Sequence, residues 1–426
     1  MMIVKKENAN KIFPPHTVHI PNIRDVPGVN SVLGIREYKN RIVSILPANN
    51  VVLLPEDQYV NTCKLIDYYR EYFSSPLTSG NIIKIKMQNQ TISKTINDSD
   101  EYLELIRKHP GDTIAEFYTS DTINQISKMT SKKIFMKYEH ARFLNNKYEI
   151  RKNLARNGLP VPNGDLVFKN STDCLTKISK ILKDLIKTGY EEFSITKLNS
   201  CSGQGIFRFK NEESISMIIN QFEDGTPFIV EGWLPNVISS PSCQILLTDN
   251  LSTCQIFGYS EQILENALVH HGNIKLTRFL NNPNFTNVIQ KTISHLHSES
   301  IRGILGIDLL VCSQNDDSNK IEPYIVEING RQTGAIYGVL FAKHLLARQP
   351  EKWWLIHNNV MIEPGITFEK YINQLRMSKI HYQHNTRKGV IVLSNGNFAN
   401  NKIMMLVIAD DKNELEEILN AASYHG

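Results

Sequence analysis

Over its first 140 residues the chain alternates short apolar runs with amphipathic stretches. "VVLLP" (51–55) precedes "EDQYVNTCKLIDYYREYF" (56–73), "NIIKIKM" (81–87) precedes "DSDEYLELIRKH" (98–109), and "DTIAEFY" (112–118) precedes "SDTINQISKM" (120–129). A short apolar run followed by helical spacing reads as strand then helix, and its repetition predicts a small open α/β sheet. No glycine fingerprint follows the first strand, so no dinucleotide is assigned to it.

From about residue 141 the pattern becomes α+β. A helix over 146–158 ends at Gly158 and is stopped by the prolines of "LPVP". A second helix (171–188) leads into "EEFSITKLNSCSGQGIFRFK" (191–210), a strand, a glycine loop and a strand. "TPFIVEGWLP" (226–235) is a further apolar strand, followed by strands near 242–248 and 253–260 and a helix over 284–299. "GILGIDLLV" (303–311) and "EPYIVEING" (322–330) form what reads as a hairpin, and a helix follows near 334–348. The last section has two apolar runs, "GVIVLS" and "IMMLVIAD", and the helix "KNELEEILNAA". The expected organisation is an α/β domain over 1–140, an α+β domain over 141–358 and a small α/β domain over 359–426.

Composition narrows the function classes. With 426 residues, 41% hydrophobic and 21% charged, the chain can build several cores of an ordinary globular protein. A net charge of +4, with Lys and Arg scattered, gives no footprint of a nucleic-acid binder. The start has charge but no apolar core of a secretory signal, and "ILGIDLLVC" (304–312) is too short to span a bilayer. Six cysteines lie far apart without C-x-x-C, so neither a zinc site nor a disulfide framework is expected, and the default setting is the reduced cytoplasm.

Candidate chemistry concentrates in "YIVEINGRQTG" (324–334), where Glu327, Asn329 and Arg331 occupy alternate positions of an apolar strand. Alternation places Glu327 and Asn329 on one face, and Asp308 on the partner strand could share it. Such oxygens suit Mg²⁺ completed by phosphates, while the strand alone is equally compatible with a Glu327–Arg331 ion pair. The loop "NSCSGQG" (199–205), after Lys197, could expose N–H groups to phosphate, or be a plain hairpin turn. Trp233 and the backbone of "IVEGWLP" (229–235) could read an adenine ring, or lie in a core.

In order, Lys147, Lys197 with Ser202-Gly203-Gln204-Gly205, "VEGWL", "GIDLL" and "EINGR" resemble the ATP-grasp superfamily over about 145–345. "REYKNR" (36–41), "VVLLPED" with "IDYYREYF", "RGILGIDLL" and the C-terminal section resemble the pheganomycin-type peptide ligases of that superfamily. The resemblance implies an ATP-grasp fold: an N-terminal α/β domain, two α+β subdomains with the nucleotide between them, and a small C-terminal α/β domain. Lys147 and Lys197 would hold ATP phosphates under the loop of Ser202, Gly203 and Gly205. Glu231, Trp233 and Leu234 would line the adenine hinge. Asp308, Glu327 and Asn329 would bind two Mg²⁺ ions, or Mn²⁺ in their place. Arg331 would face the transferring phosphoryl group, and Arg302, Gln244 and Gln262 match family positions. The implied activity is an ADP-forming carboxylate–amine ligase making an amide or peptide bond through an acyl phosphate. Its substrates would be a small carboxylate and an amino-acid or peptide amine. Relatives that load an amino acid onto a carrier-protein thiol exist, and ligases of this kind are often dimers; a rival reading from another class is an ATP-dependent kinase that would use the same ATP site to phosphorylate a hydroxyl. Three positions depart from the related patterns: Ile238 where D-Ala–D-Ala ligases hold the ribose with Glu, Gly306 where they carry Arg, and Gly334-Ala335-Ile336-Tyr337 where pheganomycin-type ligases read Gly-Thr-Thr-His.

Overall fold

A computed structural model describes residues 12–29, 35–72, 77–88, 90–169, 173–198, 203, 205–265, 269–314 and 317–423. The N-terminal alternation folds into a five-stranded parallel sheet in the order Ile82–Ile85, Val51–Pro55, Val18–Ile20, Thr113–Glu116, Lys133–Ile134. Val18–Ile20 and Lys133–Ile134 are three and two residues long, too short to leave a periodic signal. Period-2 alternation divides the sheet. Val18, Ile20, Leu53, Ile85 and Ile114 face the helices Ile92–Asn97, Asp100–Lys108 and Asp121–Thr130, whereas Val52, Leu54 and Ala115 face the main core. Thr91, Ser99 and Ser120 cap these three helices by accepting first-turn N–H groups.

Residues 164–232 build a second unit, a four-stranded antiparallel sheet in the order Gly164–Phe168, Pro227–Gly232, Phe193–Lys197, Ile206–Phe209. The helix Cys174–Lys187 places Ile178, Leu182 and Leu185 at helical spacing, and these meet Phe193, Ile195, Phe228 and Val230 in a core of their own.

The third sheet has nine antiparallel strands. Its path runs Val237–Ser239, Gly303–Gln314, Pro241–Leu247, Gln255–Glu265, Val269–Lys275, Trp353–Met361, Lys402–Ala409, Gly389–Ser394, with Asp317–Asn329 paired to Gly303–Gln314 on its other edge. The expected boundary at 358/359 therefore falls inside a strand. Trp353–Met361 pairs with Val269–Lys275 on one side and Lys402–Ala409 on the other, so the C-terminal section continues the central sheet. Its sequence, "WWLIHNNVM", hides this: His357, Asn358 and Asn359 interrupt the apolar pattern where the ladder shifts register. Among the described residues no helix is long and apolar enough to cross a membrane.

Candidate functional site

The hairpin of Gly303–Gln314 and Asp317–Asn329 sets Asp308 opposite Glu327 and Gly306 opposite Asn329. Residues directly opposite in an antiparallel pair share a face, so the two carboxylates and the amide meet on one surface. All three line a cavity of about 340 Å³. Asp308 accepts hydrogen bonds from Ser242 Oγ at 2.6 Å and Asn329 Nδ2 at 2.9 Å. Burial and the adjacent charge of Glu327 push its carboxyl up to about 6. Burial also pushes Glu327 upward, but Lys147, Arg331 and Arg151 outweigh it and hold that carboxyl below its usual range. Lys147 Nζ lies 2.8 Å from Glu327 Oε1.

Asn329 Oδ1 is buried and has no hydrogen-bond partner among the described residues. An orphaned amide oxygen beside two carboxylates is an all-oxygen donor set, which fits Mg²⁺ or Mn²⁺. Among the described residues no cluster of three or more His, Cys, Asp or Glu could hold a metal, so phosphate oxygens and water would complete the coordination.

One helix reaches the wall of this site. Asn146 caps Lys147–Arg156 by accepting the N–H groups of Tyr148 and Glu149, which fixes Lys147 at the first helical position. Arg151, four residues on and thus on the same face, forms an ion pair with Glu231 and donates from Nε to Val326 O at 2.8 Å. Glu231 also accepts Thr196 Oγ1 at 2.8 Å. Its side chain is committed to these two partners, and it ties the helix to the strand Pro227–Gly232. Trp233 and the buried Leu234 line the cavity just after that strand, with the Arg208 guanidinium 5.0 Å from the Trp233 ring centre.

Gly203 also lines the cavity, and Gly203 and Gly205 have φ of 76° and 88°, a left-handed backbone that favours glycine. Ser202 lies outside the described residues. Arg331 lines the cavity beside the metal-binding candidates, with its Nε buried and unpartnered.

Three expected site residues are not among those lining the cavity: Gly205, Lys197 and Arg302. In Phe193–Lys197 it is Ser194 and Thr196 that line it, so strand alternation turns Lys197 to the opposite face, where its ammonium lies 4.5 Å from the Phe222 ring centre. Arg302 precedes the hairpin strand and is drawn away: its Nη1 donates to His297 O and Ile301 O at 3.1 and 2.8 Å, and its Nε to the exposed Asp249 at 3.3 Å. Of the other matched positions, Gln262 lines the cavity and accepts Ser240 Oγ at 2.8 Å, while Gln244 is buried between Ser242 and Thr333. The missing Arg at Gly306 has a steric cause, since a Cβ there would lie 2.7 Å from Thr333 Cγ2. Sequence reading passed over Arg151, whose spacing from Lys147 is a usable signal, and Arg41, which sat unassigned inside "REYKNR".

Residues 144–335 match the family model described as the ATP-grasp domain. They form an ATP-grasp domain. Residues 371–421 match the PGM1 C-terminal domain. No curated protein matches the chain. N5-carboxyaminoimidazole synthetase from Staphylococcus aureus is similar at 15% identity and a TM-score of 0.59, covering 98% of this chain and 100% of that one. The Aspergillus clavatus N5-carboxyaminoimidazole synthase, in complex with ADP and 5-aminoimidazole ribonucleotide, gives 13% identity and a TM-score of 0.58, covering 96% and 98%. Biotin carboxylase from Campylobacter jejuni, as a β-γ-ATP complex, gives 13% and 0.57, covering 94% and 89%. At these identities the likeness is one of fold, and the ATP-grasp fold accounts for nearly the whole chain.

Proposed function

We propose that this ATP-grasp chain is an ADP-forming carboxylate–amine ligase that makes an amide or peptide bond, of the pheganomycin type, in specialised peptide or amino-acid conjugate synthesis. The observation that carries the reading is the hairpin floor: Asp308 opposite Glu327, with the orphaned oxygen of Asn329 beside them and Arg331 two residues on. The similar solved structures that carry ADP or an ATP analogue support nucleotide as the co-substrate.

A carboxylate is a poor electrophile at neutral pH, so it must first be activated. One carboxylate oxygen attacks the γ-phosphorus, the bond to the β-bridging oxygen breaks, and ADP leaves. The amine then attacks the acyl carbon, the carbon–oxygen bond to phosphate breaks, and the amine proton is lost to the departing phosphate or to water. Magnesium, when bound, would neutralise the phosphate oxygens and align them for transfer. Lys147 can exchange Glu327 for a phosphate oxygen, since its ammonium already lies at the edge of the donor set. Arg331 supplies charge where the transferring group and the tetrahedral oxyanion develop. Gly203, which lines the cavity, would stand beside the phosphates and help to limit hydrolysis of the acyl phosphate. The Arg151–Glu231 pair holds the hinge strand in register with the metal-binding hairpin.

The test is product analysis with ATP, Mg²⁺ and pairs of carboxylates and amines, read by mass and by phosphate release. The expected result is ADP and phosphate in equal amounts, only when both organic substrates are present. A phosphorylated product with no free phosphate would replace this reading with a kinase.

A further inference from the structure

Arg41 lies in the 3₁₀ segment Ile35–Ser44, far from the metal-binding hairpin in sequence, yet it lines the same cavity. It is only 7% exposed. Its guanidinium carbon is 4.7 Å from the ring centre of Tyr337, 5.2 Å from Phe117 and 5.7 Å from Tyr38. Rings of this kind stabilise a cation through their faces. The guanidinium also hydrogen-bonds the Tyr337 side chain, which leaves others of its five N–H groups to donate. Tyr38 is itself fixed, since its hydroxyl donates to Asn358 O at 2.9 Å and to the Asn359 side chain. Among the described residues no carboxylate pairs with Arg41.

What lies beside Arg41 makes that lack of a counter-charge informative. A Cβ built on Gly334 would sit 3.4 Å from an Nη of Arg41, so the guanidinium packs against the start of the helix Gly334–Leu345. That end of a helix carries partial positive charge and ordinarily disfavours a cation. No side chain caps it, because the Thr333 hydroxyl donates instead to Gln244 Oε1 at 2.6 Å. Arg331 stands on the same side, its guanidinium 5.9 Å from the Phe117 ring that also carries Arg41. Burial lowers the Arg41 guanidinium below its ordinary value, Tyr337 and Tyr38 oppose this, and the charge of Arg331 adds a smaller lowering. Two guanidiniums and an uncapped helix start thus converge on one wall. The acids among the residues lining the cavity are Glu231, Asp308 and Glu327, and all three have partners described above.

We propose that Arg41, Arg331 and the first-turn N–H groups of Gly334 and Ala335 form a receptor for a substrate carboxylate other than the one that is activated. The receptor would give the buried Arg41 guanidinium, which has no carboxylate partner among the described residues, a counter-charge when substrate binds. It also makes Arg41, supplied by the N-terminal section, a determinant of which substrate is accepted. The second carboxylate belongs either to a dicarboxylic acyl donor or to the free acid of an amino-acid acceptor. This inference rests on the ligase reading for the name of its ligand, but the receptor itself can be tested without turnover.

The experiment is calorimetric titration of the full chain, saturated with MgADP, with glutarate, glycine and butyrate. Saturable glutarate or glycine binding that leaves ADP in place, with butyrate at least tenfold weaker, is expected. Glutarate alone assigns the carboxylate to the acyl donor, and glycine alone to the acceptor. Arg41→Met should weaken that binding at least tenfold with ADP affinity unchanged, and Arg41→Lys should restore part of it. Gly334→Ala, which places a methyl beside the guanidinium in a helix that tolerates it, should weaken binding without lowering the unfolding temperature; it carries the test alone if Arg41→Met does not fold. Butyrate binding as tightly as the others, displacement of ADP by the anion, no binding of either anion, or unchanged affinity in the variants that fold would each overturn the receptor. Failure of MgADP itself to bind would instead count against the ligase reading.

Discussion

Asp308 and Glu327 are neighbours across a hairpin, yet their surroundings move them in opposite directions: burial and Glu327 raise the first, and Lys147 with two arginines keeps the second ionised. Glu327→Gln removes the charge while keeping the shape, so Mg²⁺-dependent turnover should fall by about 100-fold or more with the circular-dichroism spectrum unchanged. Normal turnover in that variant would remove Glu327 from the metal set. If the charge of Arg331 serves the transition state as proposed, Arg331→Ala should lower kcat by roughly 100-fold while the KM for ATP stays within about threefold. A change confined to KM would assign Arg331 to ground-state binding. Away from the site, Glu116 is 5% exposed and burial raises its carboxyl to about 7. An acid whose folded value lies above its unfolded one stabilises only while protonated. Stability is therefore expected to be highest below about pH 4.5 as far as this group is concerned, to fall between 4.5 and 7, and to level off above. Denaturant titrations at pH 5, 6 and 7.5 should show that slope in the wild type and lose it in Glu116→Gln.

At the scale of elements, the strand Trp353–Met361 sits inside the central sheet and cannot be cut without opening it. A chain ending at 358 is expected to be insoluble or to lack a cooperative unfolding transition, whereas a separable C-terminal domain would leave a folded remainder. Gly306→Arg, which restores the residue of related ligases, should destabilise by about 1–3 kcal/mol through overpacking against Thr333, measured by thermal unfolding. These elements also show what the sequence made legible. The hairpin carrying Asp308, Glu327 and Asn329 was readable because an apolar strand with polar residues at every second position is hard to explain otherwise. Trp353–Met361 was not, because a register shift at His357 spoils its periodicity. Lys197 was misplaced because a motif fixes order along the chain but not the face of a strand, and Ser194 and Thr196 hold the inward positions. Arg41 lay inside the motif "REYKNR" but its role was not legible there, since its neighbours Phe117, Tyr337 and Arg331 come from distant segments.

Across the whole molecule, residues 164–232 have a core separate from the one shared by the N-terminal and central sheets. The cavity lies where that unit meets the hairpin of Asp308 and Glu327, so nucleotide should act as a clasp between them. Hydrogen exchange is expected to slow on MgADP addition at 203–209 and 228–234 and to change little in the helices at 92–130. Uniform protection, or none near 228–234, would place the nucleotide elsewhere. The central sheet has a further consequence, for biosynthesis. Ile403 through Ala409 are fully buried and complete the pairing of Trp353–Met361. Until those residues leave the ribosome, the sheet that bears the hairpin of Asp308 and Glu327 ends in an unpaired apolar edge, a ready template for aggregation. The nascent chain thus passes through a late vulnerable window, and its yield should depend on chaperone supply during synthesis of its last strands more than on the stability of the finished fold.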